Sequence, residues 1–388
     1  MSILTSTPNQ TDKGRVVVAM SGGVDSSVAA ALLVEQGYEV IGMMMRLWSE
    51  ASVGPATATN RCCTPDQMAD ARRVADKLGI PFYVADVRQQ FRQAIVQFFL
   101  DEHEAGRTPN PCVECNRQIR FTYLLERALA MDADFLATGH YARIESTSNG
   151  YVLMQGLDLN KDQSYVLHTL RQDQLAHVLF PISSYTKDEV REIARRFGLS
   201  VASKRESQDL CFLSDGDYRR FIRDNSIQIH QPGPILDLDG HELGRHQGLP
   251  FYTIGQRKGL GIAAAEPLFV LRKDTARNAL IVGPRDSLGA RELVAEGVNW
   301  ISGIIPTSPI TAQVKIRYKA APIPATVTPL GGERAHVRFD EPAFGVTPGQ
   351  AAVFYDGSVC LGGGLIINDD AREEEGHLIS GIAEGIRG

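Results

Sequence analysis

Arg15-Val16-Val17-Val18-Ala19-Met20-Ser21-Gly22-Gly23-Val24-Asp25-Ser26-Ser27 sets an apolar run, a glycine turn and the start of a helix-period segment in direct succession. A strand, a tight turn and a helix N-terminus make an anion site, because unpaired backbone N–H groups and the positive end of the helix dipole converge there. Gly22 and Gly23 are expected to let the backbone approach an anion closely, in conformations closed to other residues. Ser21, Ser26 and Ser27 add hydroxyl donors. A lone Gly-Gly in this setting reads as a helix cap, whereas the full Ser-Gly-Gly-Val-Asp-Ser-Ser string reads as a phosphate loop. No G-x-x-x-x-G-K-[ST] occurs, which argues against phosphoryl transfer of the P-loop kind, and no G-x-G-x-x-G follows the strand, which argues against a dinucleotide cofactor.

Outward from this loop the chain alternates apolar runs with capped helices. Tyr38 to Met45 reads as the next strand, Thr64-Pro65-Asp66-Gln67 as a capping box with proline at the first helical position, Phe82 to Ala85 as a third strand and Phe135 to Thr138 as a fourth. Such alternation predicts a doubly wound α/β parallel sheet, with ligands at the strand C-terminal ends where Ser21–Ser27, Met45 and Gly139 would lie. A second helical zone is expected from Lys161 to about Arg223, with a capping box at Thr186 to Glu189. Beyond Gln231 the pattern turns to strands: Asp239-Gly240 and Asp356-Gly357 are hairpin signals, and Val314 to Tyr318 alternates strictly. The expected layout is a tail (1–14), the α/β domain (15–222), a small mostly-β central domain (223–288), a C-terminal β-barrel or small sandwich (289–367) and an acidic tail (368–388).

With 388 residues and 43% hydrophobic content the chain can bury a core in two or three domains. No stretch approaches the roughly 20 apolar residues of a membrane span and no leader pattern opens the sequence, so the expectation is a soluble cytoplasmic protein, monomeric and away from membranes. The net charge of −6 argues against nucleic acid, but its distribution does not. Acids crowd the end (Asp369, Asp370, Glu373, Glu374, Glu375), while Arg191, Arg195, Arg196, Lys204, Arg205, Arg219, Arg220 and Arg223 gather mid-chain, as an RNA-binding face or an ordinary solvated helix surface. Arg257 and Lys258, between glycines, read as phosphate ligands or a charged hairpin tip.

Six cysteines (62, 63, 112, 115, 211 and 360) are too few and scattered for a disulfide scaffold. The loop Gly106-Arg107-Thr108-Pro109-Asn110-Pro111-Cys112-Val113-Glu114-Cys115-Asn116 delivers two of them to the start of a helix, where the dipole stabilises a thiolate. Half a zinc site, a redox pair, and sulfur handling with a distant cysteine are all open on these residues; no second C-x-x-C or H-x-x-x-H completes a zinc shell. Cys211, in Ser207-Gln208-Asp209-Leu210-Cys211-Phe212, is the candidate partner, or a buried structural cysteine.

The loop resembles that of the N-type ATP pyrophosphatases, which cleave ATP between the α- and β-phosphates. With the 106–116 loop, Thr138 to Arg143, Gly156 to Tyr165, the Cys211 loop, Gly244 to Leu249, Thr253 to Gly261, Lys315 to Lys319 and Thr347 to Gly364, the sequence is similar in order, from about 15 to 367, to the tRNA-specific 2-thiouridylases. That resemblance implies an N-type ATP pyrophosphatase domain, a small central domain and a C-terminal β-barrel. It implies ATP and Mg2+ as cofactors, and as partners tRNA and a sulfur-relay protein or cysteine desulfurase that donates a persulfide. The implied reaction adenylates the C2 oxygen of the wobble uridine of tRNAs for Lys, Glu and Gln, then replaces it with sulfur. By position Ala19, Met20, Ser21, Gly22, Gly23, Val24, Asp25, Ser26, Met45 and Gly139 would contact ATP. Asn110, Pro111 and Cys112 would meet the target base, and His140, Lys161, Asp162, Gln163, Arg317, Tyr318 and Gln350 the tRNA. Cys115 would be the nucleophile and Cys211 the persulfide carrier, joined by a transient disulfide, with no bound metal centre. Some family members carry aspartate where this chain has Cys112, proposed there as a general acid or base. A thiol of ordinary pKa, about 8.5, is a poorer proton donor to a leaving group than a carboxylic acid. Ligases that form C–N bonds by adenylation share the loop but need no pair of loop cysteines.

Overall fold

The computed structural model describes residues 13–50, 64–204, 210–213, 215–226 and 231–367. The tails at 1–12 and 368–388, Cys62, Cys63, Arg205 and Ser207 to Asp209 lie outside the described residues.

Strands β1 (Arg15–Ala19), β2 (Glu39–Arg46), β3 (Phe82–Asp86) and β4 (Phe135–Ala137) precede a hairpin of β5 (Ala142–Thr147) and β6 (Gly150–Gln155); β7 (Val178–Leu179) follows. Except for that hairpin they form one parallel sheet in the order β3-β2-β1-β4-β7, with Val17 opposite both Ile41 and Leu136. The order reverses between β1 and β4, and the crevice outside their C-terminal ends is where such a sheet binds ligands. Both faces are covered, which is why β1 reads as an unbroken valine run. Val16 and Val18 face a cluster with Val28, Leu32 and Val190, while Val17 faces Met43, Phe91 and Phe121.

Helix α1 (Val24–Glu35) follows the loop, and α2 (Pro65–Leu78) carries the Thr64–Gln67 capping box and a left-handed Gly79. The opposite face is covered by two continuous helical runs, 88–104 and 111–129, each π-wound in its middle, over Arg92–Gln97 and Cys115–Leu124. The zone from 161 to 223 is less helical than expected. It holds Ser164–Leu167 as a 3-10 turn, then Gln172–Leu175, Lys187–Arg196 and Tyr218–Asn225. Side-chain-to-backbone bonds compete with helix here, the Asp162 carboxylate accepting from Gly156 N and Ser164 N.

Four strands, β8 (Gly233–Leu236), β9 (Glu242–His246), β10 (Phe269–Asp274) and β11 (Ala279–Gly283), make a small sheet in the order β10-β11-β8-β9, with Asp239-Gly240 at the β8–β9 turn. The remaining six, β12 (Gly289–Trp300), β13 (Ile310–Lys315), β14 (Ile323–Leu330), β15 (Arg334–Phe344), β16 (Ala351–Asp356) and β17 (Val359–Ile366), close into a barrel through β12–β17 pairing. Leu293, Val314, Val337 and Phe354 fill it.

One strand pairing joins the two halves of the chain. The β5–β6 hairpin, from the first half of the chain, pairs with barrel strand β17 through Leu153–Cys360 and Met154–Val359. Around this seam the Tyr165 hydroxyl donates to Ala351 O (2.9 Å), Ser164 Oγ lies 3.0 Å from Tyr355 Oη, and Asn299 Nδ2 donates to His168 O and Leu170 O. Tyr165 is fully buried, so Tyr165→Phe strips a donor from a buried acceptor. The expected loss is about 1–3 kcal/mol, read as a lower midpoint in thermal melts of the full chain.

Candidate active site

The loop between β1 and α1 owes its shape to contacts that arrive from elsewhere in the chain. Gly22 has φ +70°, and a Cβ there would sit 2.3 Å from Gln67 O at the start of α2. Gly23 differs from expectation: at φ −99°, ψ 168° it is ordinary extended backbone, and a Cβ would meet only Ser21 Oγ at 3.3 Å. Its missing side chain keeps open the space above the first turn of α1. Ser21 N donates to Ser26 Oγ (3.1 Å) and Ser27 Oγ to Gly23 O (2.8 Å). Gly139, just past β4, packs so closely that a Cβ would lie 2.6 Å from Ser26 N. Met20, just past β1, and Met45, near the end of β2, are both buried.

Asp25 is gripped from two distant parts of the chain. Lys187 Nζ donates to its carboxylate oxygens at 2.7 and 2.9 Å, and Tyr141 Oη donates at 2.8 Å. Lys187 is the first residue of Lys187–Arg196, a helix whose Thr186–Glu189 capping box formed as the sequence predicts. A second lysine, Lys204, donates to Gly22 O (2.9 Å) and Asp70 Oδ2 (2.6 Å). Two ammonium groups therefore flank a loop of backbone N–H and hydroxyl donors, a fit for a polyphosphate. Sequence reasoning missed Lys187 and Tyr141 and left Lys204 between an RNA face and an ordinary solvated surface; the Thr186-Lys187 pair opening a capping box was the available signal.

Asn110 caps the next helical run, its side chain accepting from Cys112 N (3.1 Å) and Val113 N (3.4 Å), with Pro111 first in the helix. Cys112 is exposed and Cys115 buried, the latter at the first position of the π-wound segment. Arg117 Nε pairs with Glu114 (3.0 Å), offsetting the one acidic charge beside the two thiols. Two contacts from the barrel hold the approach to this loop: Gln350 Nε2 donates to Thr108 O (2.7 Å), and Thr108 N to Pro348 O (2.9 Å).

Cys211 is half-buried and packs onto the same hydrophobic cluster as Cys115 and Met45. Its neighbour Phe212 is the anchor, with ring centroids 5.4 Å from both Phe99 and Phe221 and 6.2 Å from Phe91.

The residues expected at tRNA divide into outer and inner sets. Lys161 and Tyr318 are partly exposed. His140 and Asp162 are buried. The His140 ring sits between Phe121 and Phe180, with Nδ1 2.7 Å from Thr138 Oγ1, and burial pushes its pKa down to about 3, so it stays neutral. Arg317 is committed to Ile254 O, Gly345 O and Thr347 Oγ1, tying the small sheet's domain to the barrel. Part of the mid-chain basic cluster is likewise spent internally: Arg191 donates to Ala202 O, Arg196 pairs with Glu35, and Arg220 binds Glu50, Asp215 and Asp224.

Three family models match in order. One described as tRNA methyl transferase HUP domain covers residues 14–215, one described as tRNA methyl transferase PRC-barrel domain covers 220–284, and one described as aminomethyltransferase beta-barrel domain covers 290–366. A protein of Magnetococcus marinus named tRNA-specific 2-thiouridylase MnmA is 52% identical over 359 residues, 92% of this chain and 100% of the relative. Relatives of the same name from Roseiflexus castenholzii and Geobacter metallireducens are 49% and 52% identical, over 92% and 93% of this chain and 100% and 98% of their own. With such identity along nearly its whole length, the chain belongs to the tRNA-specific 2-thiouridylase family.

Proposed function

We propose that this protein is a tRNA-uridine 2-sulfurtransferase that replaces the C2 oxygen of a wobble uridine by sulfur at the expense of ATP. The observation that carries this reading is the 52% identity with a 2-thiouridylase over 92% of the chain. The site supports it, because the polyphosphate cradle and the Cys115 and Cys211 thiols belong to one domain, with Met45, Cys115 and Cys211 on one apolar cluster.

In the first stage ATP lies with its phosphates on the loop from Ser21 to Ser26, received by the α1 N-terminus and the two serine hydroxyls. Mg2+ accompanying ATP would be held by Asp25 and would neutralise phosphate charge. The uridine O2 attacks the α-phosphorus, pyrophosphate leaves, and the base carries AMP on O2. Lys187 and Lys204 stand where negative charge accumulates on the departing pyrophosphate. In the second stage Cys211 holds a persulfide received from a sulfur-relay protein or cysteine desulfurase. Either its terminal sulfur attacks C2 and the Cys115 thiolate then attacks Cys211 Sγ, freeing the thiolated base and leaving a Cys115–Cys211 disulfide, or the Cys115 thiolate attacks Cys211 Sγ first, forms the same disulfide and expels hydrosulfide, which attacks C2. AMP leaves in both routes, and a thiol reductant returns two electrons to the disulfide. Asn110, Pro111 and Cys112 are the assigned contacts of the extruded base, and Lys161, Gln163, Tyr318 and Gln350, partly exposed, are among those of the tRNA. A cytoplasmic setting suits this chemistry, since reducing conditions keep the thiols available between turnovers.

Incubating the protein with unmodified tRNA, ATP, Mg2+ and a persulfide or sulfide source, then digesting the RNA for mass spectrometry, tests the reading directly. 2-Thiouridine at the wobble position is the expected product, and its absence with active tRNA and donor would refute the proposal. Cys115→Ser and Cys211→Ser with the persulfide donor are expected to lower thiolation by at least about a hundredfold while tRNA-dependent pyrophosphate release persists, since the thiols act only after adenylation. Lys187→Met should act on the earlier step, slowing pyrophosphate release by about 10²–10³, the usual effect of removing a preorganised charge.

A further inference from the structure

The segment Gly156–Gln163 touches both groups that hold Asp25. Gln163 grips Tyr141 at both of its backbone polar groups: Tyr141 N donates to Gln163 Oε1 (3.0 Å), and Gln163 N donates to Tyr141 O (2.8 Å). Gly156 packs on the same carbonyl, where a Cβ would come within 2.9 Å. At the other end of the segment, Asp158 Oδ2 accepts from Lys187 N (3.1 Å). Tyr141 and Lys187 are the two donors to the Asp25 carboxylate. A single loop thus fixes the backbones of both residues whose side chains fix the nucleotide loop.

The loop has an inner and an outer side. Inside, the buried Asp162 carboxylate accepts from Gly156 N, Ser164 N and Ser164 Oγ (2.9 Å), pinning the ends of the turn together. Outside, Leu157 and Leu159 are 58% and 70% exposed, beside the exposed Asn160 and the partly exposed Lys161. Large apolar side chains held in solvent on a rigidly backed turn suit packing against the shallow minor groove or riboses of a folded RNA, with Lys161 toward phosphate.

We infer that Asp158 and Gln163 are positioning residues of the nucleotide site, and that this loop links RNA on its outer face to ATP at Asp25. The inference rests on the proposed function for the identity of the RNA. Displacing the loop moves Tyr141 and Lys187 together, because their backbone bonds run through the same short segment, and Asp25 follows. Linkage is reciprocal: nucleotide must change RNA affinity by the factor by which RNA changes nucleotide affinity.

The test is calorimetric titration of α,β-methylene ATP, which resists cleavage at the scissile position, into the full-length protein with and without saturating unmodified tRNA. In the wild type the two Kd values should differ by at least about fivefold, and in Asp158→Ala or Gln163→Ala the ratio should fall within about twofold of one. Asp158→Asn and Gln163→Glu keep an acceptor oxygen and should restore the ratio, a rescue that a general loss of loop structure would not give. Combining Gln163→Ala with Tyr141→Phe should lose no more than Tyr141→Phe alone. If an alanine variant fails to fold, Tyr141→Phe, which removes one hydroxyl, must by itself collapse the ratio. A wild-type ratio of one, or alanine variants that bind both ligands with an unchanged ratio, would overturn the inference. Wobble thiolation by the wild type is read separately, so linkage can fail while thiolation stands, and the reverse.

Discussion

The Asp25–Lys187 ion pair is the constraint on which the rest of the site depends. The Lys187 side chain is only 10% exposed and lies 162 residues along the chain from its partner. An ammonium so far out of water is costly unless a carboxylate meets it in good geometry, and removing one partner leaves the other stranded. The helix Lys187–Arg196 must therefore sit against α1 in one register, which Val190 and Ala194 accomplish by packing with Val28 and Leu32. Apolar burial supplies the energy of that docking, and the ion pair makes it specific. The loop geometry is thus a consequence of closing the α/β domain; Gly22 is needed for the turn, while Gly23 leaves room above it.

A similar division of labour joins the α/β domain to the barrel. The β5–β6 hairpin extends the barrel sheet past β17, and the barrel reaches back through Gln350 and Pro348 to Thr108, two residues ahead of the Asn110 cap. The loop that presents Cys112 and Cys115 is therefore held at one end by its own helix cap and at the other by strands from the far end of the chain. The barrel is a wall of the site, and Arg317, spent on three oxygens of two domains, belongs to the same seam.

What could be read from the sequence was whatever local chemistry decides. The valine run, the two capping boxes at Thr64 and Thr186 and the Asp-Gly hairpins all formed as expected, because each is set by residues within one or two turns, whereas the helix expected beyond the 106–116 loop already starts at Pro111, capped by Asn110. Long-range pairing was not legible. Nothing near Tyr141 announces that its phenol meets Asp25 from 116 residues away, and nothing in Ala142–Thr147 announces that its hairpin will join a barrel. The inward turn of His140 and Asp162 was hidden for the same reason. A His or Asp in a motif reads as a ligand until its neighbours Phe121, Phe180, Ser164 and Tyr355 are known to enclose it.

Charge teaches the same lesson with a different outcome. A chain of net charge −6 must still attract a polyanion, and the mid-chain arginines are the obvious means. Yet Arg220 is divided among three carboxylates, Arg196 pairs with Glu35, and Arg191 and Lys204 serve backbone oxygens. Exposed basic side chains outside these pairs include Arg195, in the last turn of Lys187–Arg196, and Arg257 and Lys258 on the 253–261 turn. These lie on separate elements, so a ligand must span several of them at once to gain from all. Each phosphate contact releases condensed counterions, and the benefit accumulates only for a rigid polyanion long enough to bridge the α/β domain and the small sheet. A folded RNA meets that requirement where a free nucleotide does not.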